Sequence, residues 1–324
     1  MNKNISIVLI SYNQENYIVE ALEGIRNQTR APFEVIIADD ASKDSTQNVI
    51  MQYVETHGLH HWKLLLSERN RGITGNVQQG IDVANGDIII LLAGDDVSLP
   101  NRCEVTLDLF EKNPHVNIIA NSGFIINSDG VTTGEKNEAD GALVNDVIKV
   151  VRFGFPGVHP VGQAFRRVIF SKYGPLPSDV PNEDDQISFR GIVDGGILTS
   201  AIKTYKYRVH DRSASSWVRN KQSNDEFYRR FTEDMVVRER HVKHWITCVK
   251  TAHVDNQDYL VQLLKKKVAL YEIFSGKYPL GFFGRMIFLL KNNKVICFRE
   301  KAYLVFGKFG VLAWRKARHV FGRV

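Results

Sequence analysis

Cysteine is scarce in this 324-residue chain, with three residues at Cys103, Cys248 and Cys297, odd in number, far apart and without a C-x-x-C pair. That excludes a disulfide framework and a zinc knuckle and favours a reducing compartment. Long hydrophobic runs are missing too. Stretches such as Met286 to Leu290 fall far short of the ~18 residues that suggest a membrane span. The opening MNKNISIVLISYN has no charged leader region followed by a long apolar run and a small-residue cleavage site, so the expected location is cytoplasmic. No G-x-G-x-x-G follows the first apolar run, which argues against a dinucleotide-dependent oxidoreductase. Acidic residues nearly vanish at the C-terminal end, where Gly276 to Val324 holds eleven Lys or Arg and one acid, Glu300. The whole chain carries +6 and that stretch +10, so the first 275 residues carry −4. A nucleic-acid partner would need a basic stripe on a body that is mildly acidic, and none is expected. With 44% hydrophobic and 24% charged residues, the chain has the composition of a globular protein.

What is present is an alternation of strand and helix patterns. Ile5 to Ile10, Phe33 to Ala38, Trp62 to Leu66 and Asp87 to Leu92 are β-rich runs. Between them, Tyr17, Ile18, Ala21, Leu22 and Ile25 fall at helical spacing with Asn13 as a plausible N-cap; Asp44 to His57 and Thr74 to Ala84 also read as helices. The alternation predicts an α/β fold, a mostly parallel sheet with helices on both faces. Beyond it, Pro100 to Lys112 reads as a helix, Val116 to Ala120 and Phe124 to Asn127 as two strands, and Val131 to Gly141 as a loop or lid. Glu183 to Val193 reads as a helix and Ile197 to Val209 as a strand. After Trp217 the pattern becomes helical and charged, which sets a domain boundary near residue 220 and leaves 221–324 as a helical region with a basic amphipathic tail.

Three strand exits carry polar residues: Ser11-Tyr12-Asn13, Asp39-Asp40 and, within LLAGDDVSLP, Asp95-Asp96. In a parallel sheet such exits line one edge and converge on one crevice. Each has a plainer reading. Gly94 before Asp95 is good turn chemistry, Asp40 and Ser42 could start a turn or cap a helix, and Tyr12 could be a packed loop aromatic. Together they favour a site for a ligand with hydrogen-bond donors and a bound cation.

The series SIVLISYNQENYIVEALEGIRNQT, FEVIIADDASKDST, RNRGITGN, NGDIIILLAGDDVSLP, NEDDQISFR and YKYRVHDRSAS resembles glycosyltransferase family 2 on the GT-A fold, over roughly residues 5–216. The resemblance implies that Ser11 and Tyr12 line a nucleotide-base pocket and that Asp39 accepts the N3-H of uracil or thymine. It implies that Asp95 and Asp96 hold ribose and a Mg²⁺ or Mn²⁺ on the diphosphate of a nucleotide-sugar donor. Ala93 stands where a fuller motif has a further aspartate, which leaves the metal fewer protein ligands. Arg71 would pair with a phosphate or remain a solvated loop charge, and His210 would hold the metal or the diphosphate or be structural. The catalytic base falls on Asp184, chosen over Asp185 by its spacing to Arg190, with stabilisation of the helix N-terminus as the alternative for any of Glu183, Asp184 and Asp185. The implied reaction is an inverting displacement by an acceptor hydroxyl, with 157–167 as candidates for the acceptor wall.

Lys301, Lys308 and Arg315 recur every seven residues among apolar residues, so the tail reads either as a binder of anionic membrane surface or as a helix packed on its own protein. A membrane surface would fit a glycan or lipid-linked glycan acceptor at the cytoplasmic face, as in surface-polysaccharide assembly. Two rival functions stand beside this one. A sugar nucleotidyltransferase would carry a Gly-rich phosphate loop where SYNQEN has no glycine, and a non-catalytic nucleotide-sugar-binding module would not need Asp184.

Overall fold

The computed structural model describes residues 4–154, 158–211, 223–293 and 296–321. The chain forms two compact units, Met1–Asn145 with Gly157–Ser216, and Asp146–Pro156 with Trp217–Val324. The boundary expected near residue 220 lies outside the described residues, as do Gly157 and the end of the YKYRVHDRSAS motif.

Along the first half run β1 (Ile5–Ser11), α1 (Ile18–Arg26), β2 (Glu34–Asp39), α2 (Thr46–Thr56), β3 (Lys63–Leu66), α3 (Gly72–Asp82) and β4 (Ile88–Ala93). There follow β5 (Val97–Ser98), α4 (Arg102–Lys112), β6 (Ile118–Ile126), β7 (Thr132–Lys136), β8 (Leu143–Val144) and α5 (Val147–Phe153). After a 3₁₀ turn at Pro160–Gly162 come β9 (Gln163–Arg166), α6 (Val168–Tyr173), α7 (Glu183–Val193) and β10 (Ile197–Arg208). The rest is helical: α8 (Asn224–Ala252), α9 (Gln257–Phe274), α10 (Phe282–Asn292), α11 (Phe298–Phe306) and α12 (Lys308–Phe321).

The strands of the first unit form one sheet in the order β3-β2-β1-β4-β9-β6-β10-β5, with β7 added to β6 and β8 to β10. The β1–β2, β1–β4, β2–β3 and β6–β10 pairs are parallel. Because β9 is antiparallel to both β4 and β6, those two also run the same way, and the sheet is mostly parallel. Both faces are covered, so the strands are apolar on both sides. Ile7 and Leu9 join Leu22, Ile25, Ile50 and Phe110 in the core on one face. On the other, α3 lies so close to β1 that a Cβ on Gly80 would come 2.4 Å from Val8 Cγ1.

Three expectations need correcting. The two strands expected at 116–127 are one, β6, whose break-like Asn121-Ser122-Gly123 continues the ladder. Gly123 is required there because the Tyr205 ring lies 2.5 Å from where its Cβ would be. The stretch expected as a loop at 131–141 contains β7, folded back antiparallel on β6. Asn13 does not cap α1: Tyr17 holds that position, and Asn13 sits at φ 52° with its Oδ1 accepting from the Lys43 amide at 2.8 Å.

In the second unit α8 packs along α9. Ser223 caps α8 by accepting from the Glu226 amide. Lys267 and Glu300 form a buried ion pair at 2.7 Å that joins α9 to α11. In α12, Lys308 pairs with Asp225, and Arg315 donates to Asn224 Oδ1 at 3.0 Å and stacks over Phe227. Two of the three heptad cations therefore face their own unit, which favours the packed-helix reading for α12.

Candidate functional site

Register alone brings the first two strand exits together. Ser11 on β1 is opposite Asp39 on β2, and Ile10 is opposite both Ala38 and Ala93. Asp39 is fully buried, and its carboxylate takes four hydrogen bonds: Oδ2 from the hydroxyls of Ser11 (2.7 Å) and Ser42 (2.6 Å), Oδ1 from the Ser42 amide (2.9 Å) and Gln47 Nε2 (2.7 Å). A carboxylate offers about four lone-pair sites, so all of them are occupied. The loops after β1 and β2 are stitched to each other: Asn13 N donates to Ser42 Oγ, Gln14 N to Thr46 Oγ1, and Ser45 N to Glu15 Oε2. Tyr12 stands out from this frame, 41% exposed. Asp40 fixes a third loop, its Oδ1 accepting from the Arg71 amide at 2.6 Å, while the Arg71 residue itself is exposed.

After β4 the chain turns sharply, with Gly94 N donating to Ile10 O and Asp96 N to Ala93 O. Gly94 lets α1 come close, since a Cβ there would lie 2.8 Å from Ile18 Cδ1. The end of β10 clamps the two acids that follow. The Arg208 amide donates to Asp96 Oδ1 at 2.8 Å, Arg208 Nε to the Asp95 carbonyl at 2.9 Å, and His210 Nε2 lies 2.9 Å from Asp95 Oδ2. The Arg208 guanidinium is buried, reaches the carbonyls of Asn127 and Ser128, pairs with Glu20, and lies over the Tyr17 ring. Tyr17 also packs against the His210 ring. Burial raises the pKa of Asp96, and the negative charge of Asp95 raises it further, against the Arg208 amide and the charges of Arg102 and Arg208. Arg208 was missed by sequence reasoning. The available signal was its spacing, two residues before His210 and hence on the same face of an extended segment.

The third group of acids opens α7. Glu183 and Asp184 line a cavity of about 120 Å³ together with Asp96, Ala93, Pro160, Val161 and Gln163. Asp184 Oδ1 accepts from the Asp185 amide at 2.8 Å, so Asp184 does serve the helix N-terminus. Burial raises its pKa, and the pKa of Glu183 is raised by burial and by the charge of Asp184. Arg190, whose spacing selected Asp184, is buried and donates to the carbonyls of Gly174 and Pro175, pinning the end of α6. Within 157–167, the expected acceptor wall, Pro160, Val161, Gln163 and Phe165 line the cavity, the last two from β9.

Ser11 and Asp39 thus form one cluster, Asp95, Asp96 and His210 a second, and Asp184 shares a cavity with Asp96. Among the described residues no three His, Cys, Asp or Glu converge as a metal cage. Two adjacent carboxylates, one of them driven toward protonation by burial and then by the other's charge, fit a divalent cation that would take its remaining oxygens from phosphates and water. They do not suit a metal held by protein alone.

Comparison with known proteins bears on the family and the fold. Residues 6–174 match the family model described as Glycosyl transferase family 2. The protein Rv1520 of Mycobacterium tuberculosis is 30% identical over 209 residues, 63% of this chain and 59% of that one. The UDP-Glc:alpha-D-GlcNAc-diphosphoundecaprenol beta-1,3-glucosyltransferase WfgD of Escherichia coli is 28% identical over 127 residues, 39% of this chain and 48% of that one. The match therefore spans about half to three-fifths of these relatives. The structure of S. aureus TarS 1-349 in complex with UDP-GlcNAc superposes with a TM-score of 0.61 at 15% identity, covering 99% of this chain and 92% of that one, and so shares the fold.

Proposed function

The chain belongs to glycosyl transferase family 2, and from that premise we propose that it transfers a sugar, with inversion, from a UDP- or dTDP-sugar to a hydroxyl of a glycan acceptor. The observation that carries this reading is the cavity in which the β4-exit acid Asp96 meets Glu183 and Asp184 of α7. A transferase needs its donor site and its acceptor base to open on one cavity, with the sugar between them, and a module that only binds nucleotide sugar does not.

In the proposed donor complex the exposed Tyr12 ring stacks on the base, and Asp39 accepts its N3-H after the hydroxyl of Ser11 or Ser42 turns away. Arg71 meets a phosphate. Asp95, Asp96 and His210 would hold a Mg²⁺ or Mn²⁺ beside the diphosphate, and the ion would supply positive charge for the leaving group. The acceptor hydroxyl enters the cavity and gives its proton to an Asp184 oxygen. Burial favours the neutral acid, which makes Asp184 a stronger base than an exposed aspartate. A base facing the sugar from the side opposite the diphosphate gives one in-line displacement and inverts the anomeric centre. The acceptor is proposed to be a lipid-linked glycan at the cytoplasmic face of a membrane, in keeping with the diphosphoundecaprenol acceptor in WfgD's name.

The test is to incubate the protein with a panel of nucleotide sugars, Mn²⁺ or Mg²⁺ and glycan acceptors, and to measure release of free nucleoside diphosphate. Release with a UDP- or dTDP-sugar that depends on the metal is expected. Tight donor binding with no acceptor-dependent release would return the protein to a binding module.

A further inference from the structure

In the second unit, α10 carries an apolar face outward. Phe282, Phe283, Ile287 and Leu290 are 52, 81, 54 and 76% exposed, and no residue of the helix is buried. At 3.6 residues per turn these four, with Met286 among them, share one face, while Gly284, Arg285, Phe288, Leu289 and Asn292 lie on the other, half-buried side and Lys291 at the edge. The half-buried side, with Phe288 and Leu289, packs the helix on α11, which leaves the second apolar face without cover among the described residues. An apolar stripe left in water marks a surface that meets a partner.

Charge and length select the partner. The segment from Gly276 to Val324 holds eleven Lys or Arg against one acid, so the stripe lies in the most cationic part of the chain. The eleven residues of α10 rise about 16 Å, roughly half the thickness of a bilayer's hydrocarbon core. Among the described residues no helix is long and apolar enough to cross a membrane. A short helix with one bare apolar face, the exposed Lys291 at its edge and a segment of eleven cations to one acid around it in sequence suits the plane of a lipid interface, where its apolar side chains enter the acyl boundary and Lys291 meets anionic headgroups. Tyr278, 57% exposed just before the helix, has the amphipathic ring that suits headgroup depth.

We propose that α10 docks on an anionic phospholipid surface, with Phe282, Phe283, Ile287 and Leu290 as the inserting residues. This goes beyond the transfer reaction and does not depend on it, because docking is measured without donor or acceptor.

The experiment is flotation of the full chain with vesicles of phosphatidylcholine alone or mixed with phosphatidylglycerol. The chain is expected to float with the mixed vesicles, less with the neutral ones, and less at high salt. The double substitution Phe283→Ser and Leu290→Ser removes two exposed side chains, so the fold and the melting temperature should be kept while vesicle affinity falls about tenfold or more. No flotation of the intact chain, equal flotation of the variant, or equal binding to neutral vesicles would overturn the proposal. So would sedimentation showing that, without lipid, the intact chain is a dimer and the variant a monomer, since a second copy would then be the occupant of the stripe.

Discussion

Ala41 sits at φ 59°, between Asp40 and the Ser42 that donates twice to Asp39. An L-residue in this left-handed region is strained where glycine is not, so Ala41→Gly should raise stability by about 0.5–1 kcal/mol in thermal unfolding, with donor binding unchanged. Glu34 is a residue-scale case with a pH signature. Burial would raise its pKa, but Lys63 Nζ, Ser6 Oγ and the Asn85 amide outweigh it and pull the value down to about 2. Stability from such a group is present above its ordinary value of 4.5 and lost as pH falls toward 2. Glu34→Gln should therefore cost about 1–2 kcal/mol near neutral pH, discounted from the full shift because Lys63 is 42% exposed, and almost nothing near pH 2. Asp184→Asn tests the proposed base. Transfer should fall by about 10² to 10⁴ with donor affinity nearly intact. Asp185→Asn is the control, and selective loss there instead would reassign the base.

At the scale of elements, the site depends on how closely helices approach the sheet. A Cβ on Gly191 of α7 would run into the fully buried Ile118 side chain of β6, so Gly191→Ala must displace that side chain or the helix that carries Asp184. A loss of about 1–3 kcal/mol in stability is expected, together with a lower transfer rate, since the base would move with its helix. A glycine inside a helix pattern shows nothing of this in the sequence, because the neighbour that demands it is 73 positions away in the chain. The same holds for Gly123, which reads as a strand break and is the seat of the Tyr205 ring. In the second unit the buried Lys267–Glu300 pair holds α9 to α11. Lys267→Met should cost about 3–5 kcal/mol by stranding Glu300, and adding Glu300→Leu should recover much of it, as measured by denaturant unfolding of the single and double variants.

For the whole molecule, the acids at the cavity make stability and activity run in opposite directions with pH. The folded-state pKa of Asp184 lies above its ordinary 3.8 and that of Glu183 above 4.5. Stability contributed by such groups is full below those ordinary values and is lost as pH rises through the raised ones. The proposed base must be ionised, so the transfer rate should instead fall as pH drops through the same window. Asp184→Asn should then melt at a higher temperature than the parent near neutral pH while being nearly inactive. A lower melting temperature would favour the capping role.

The sequence by itself determined the alternating elements, their direction and the edge on which the polar exits gather, because period, turn chemistry and burial on both faces are local properties of the chain. It also marked Ser11, Asp39, Asp95, Asp96, His210 and Asp184 one by one. It did not reveal that Asp39 is already saturated by Ser11, Ser42 and Gln47, that Arg208 clamps the Asp95-Asp96 turn, or that β9 enters between β4 and β6. Nor did it divide the tail into α12, tied to α8, and α10, bare on one apolar side. Those matters were decided by tertiary structure, since a hydrogen bond or an exposed face depends on which distant residue fills the space beside it, and no local pattern records that neighbour.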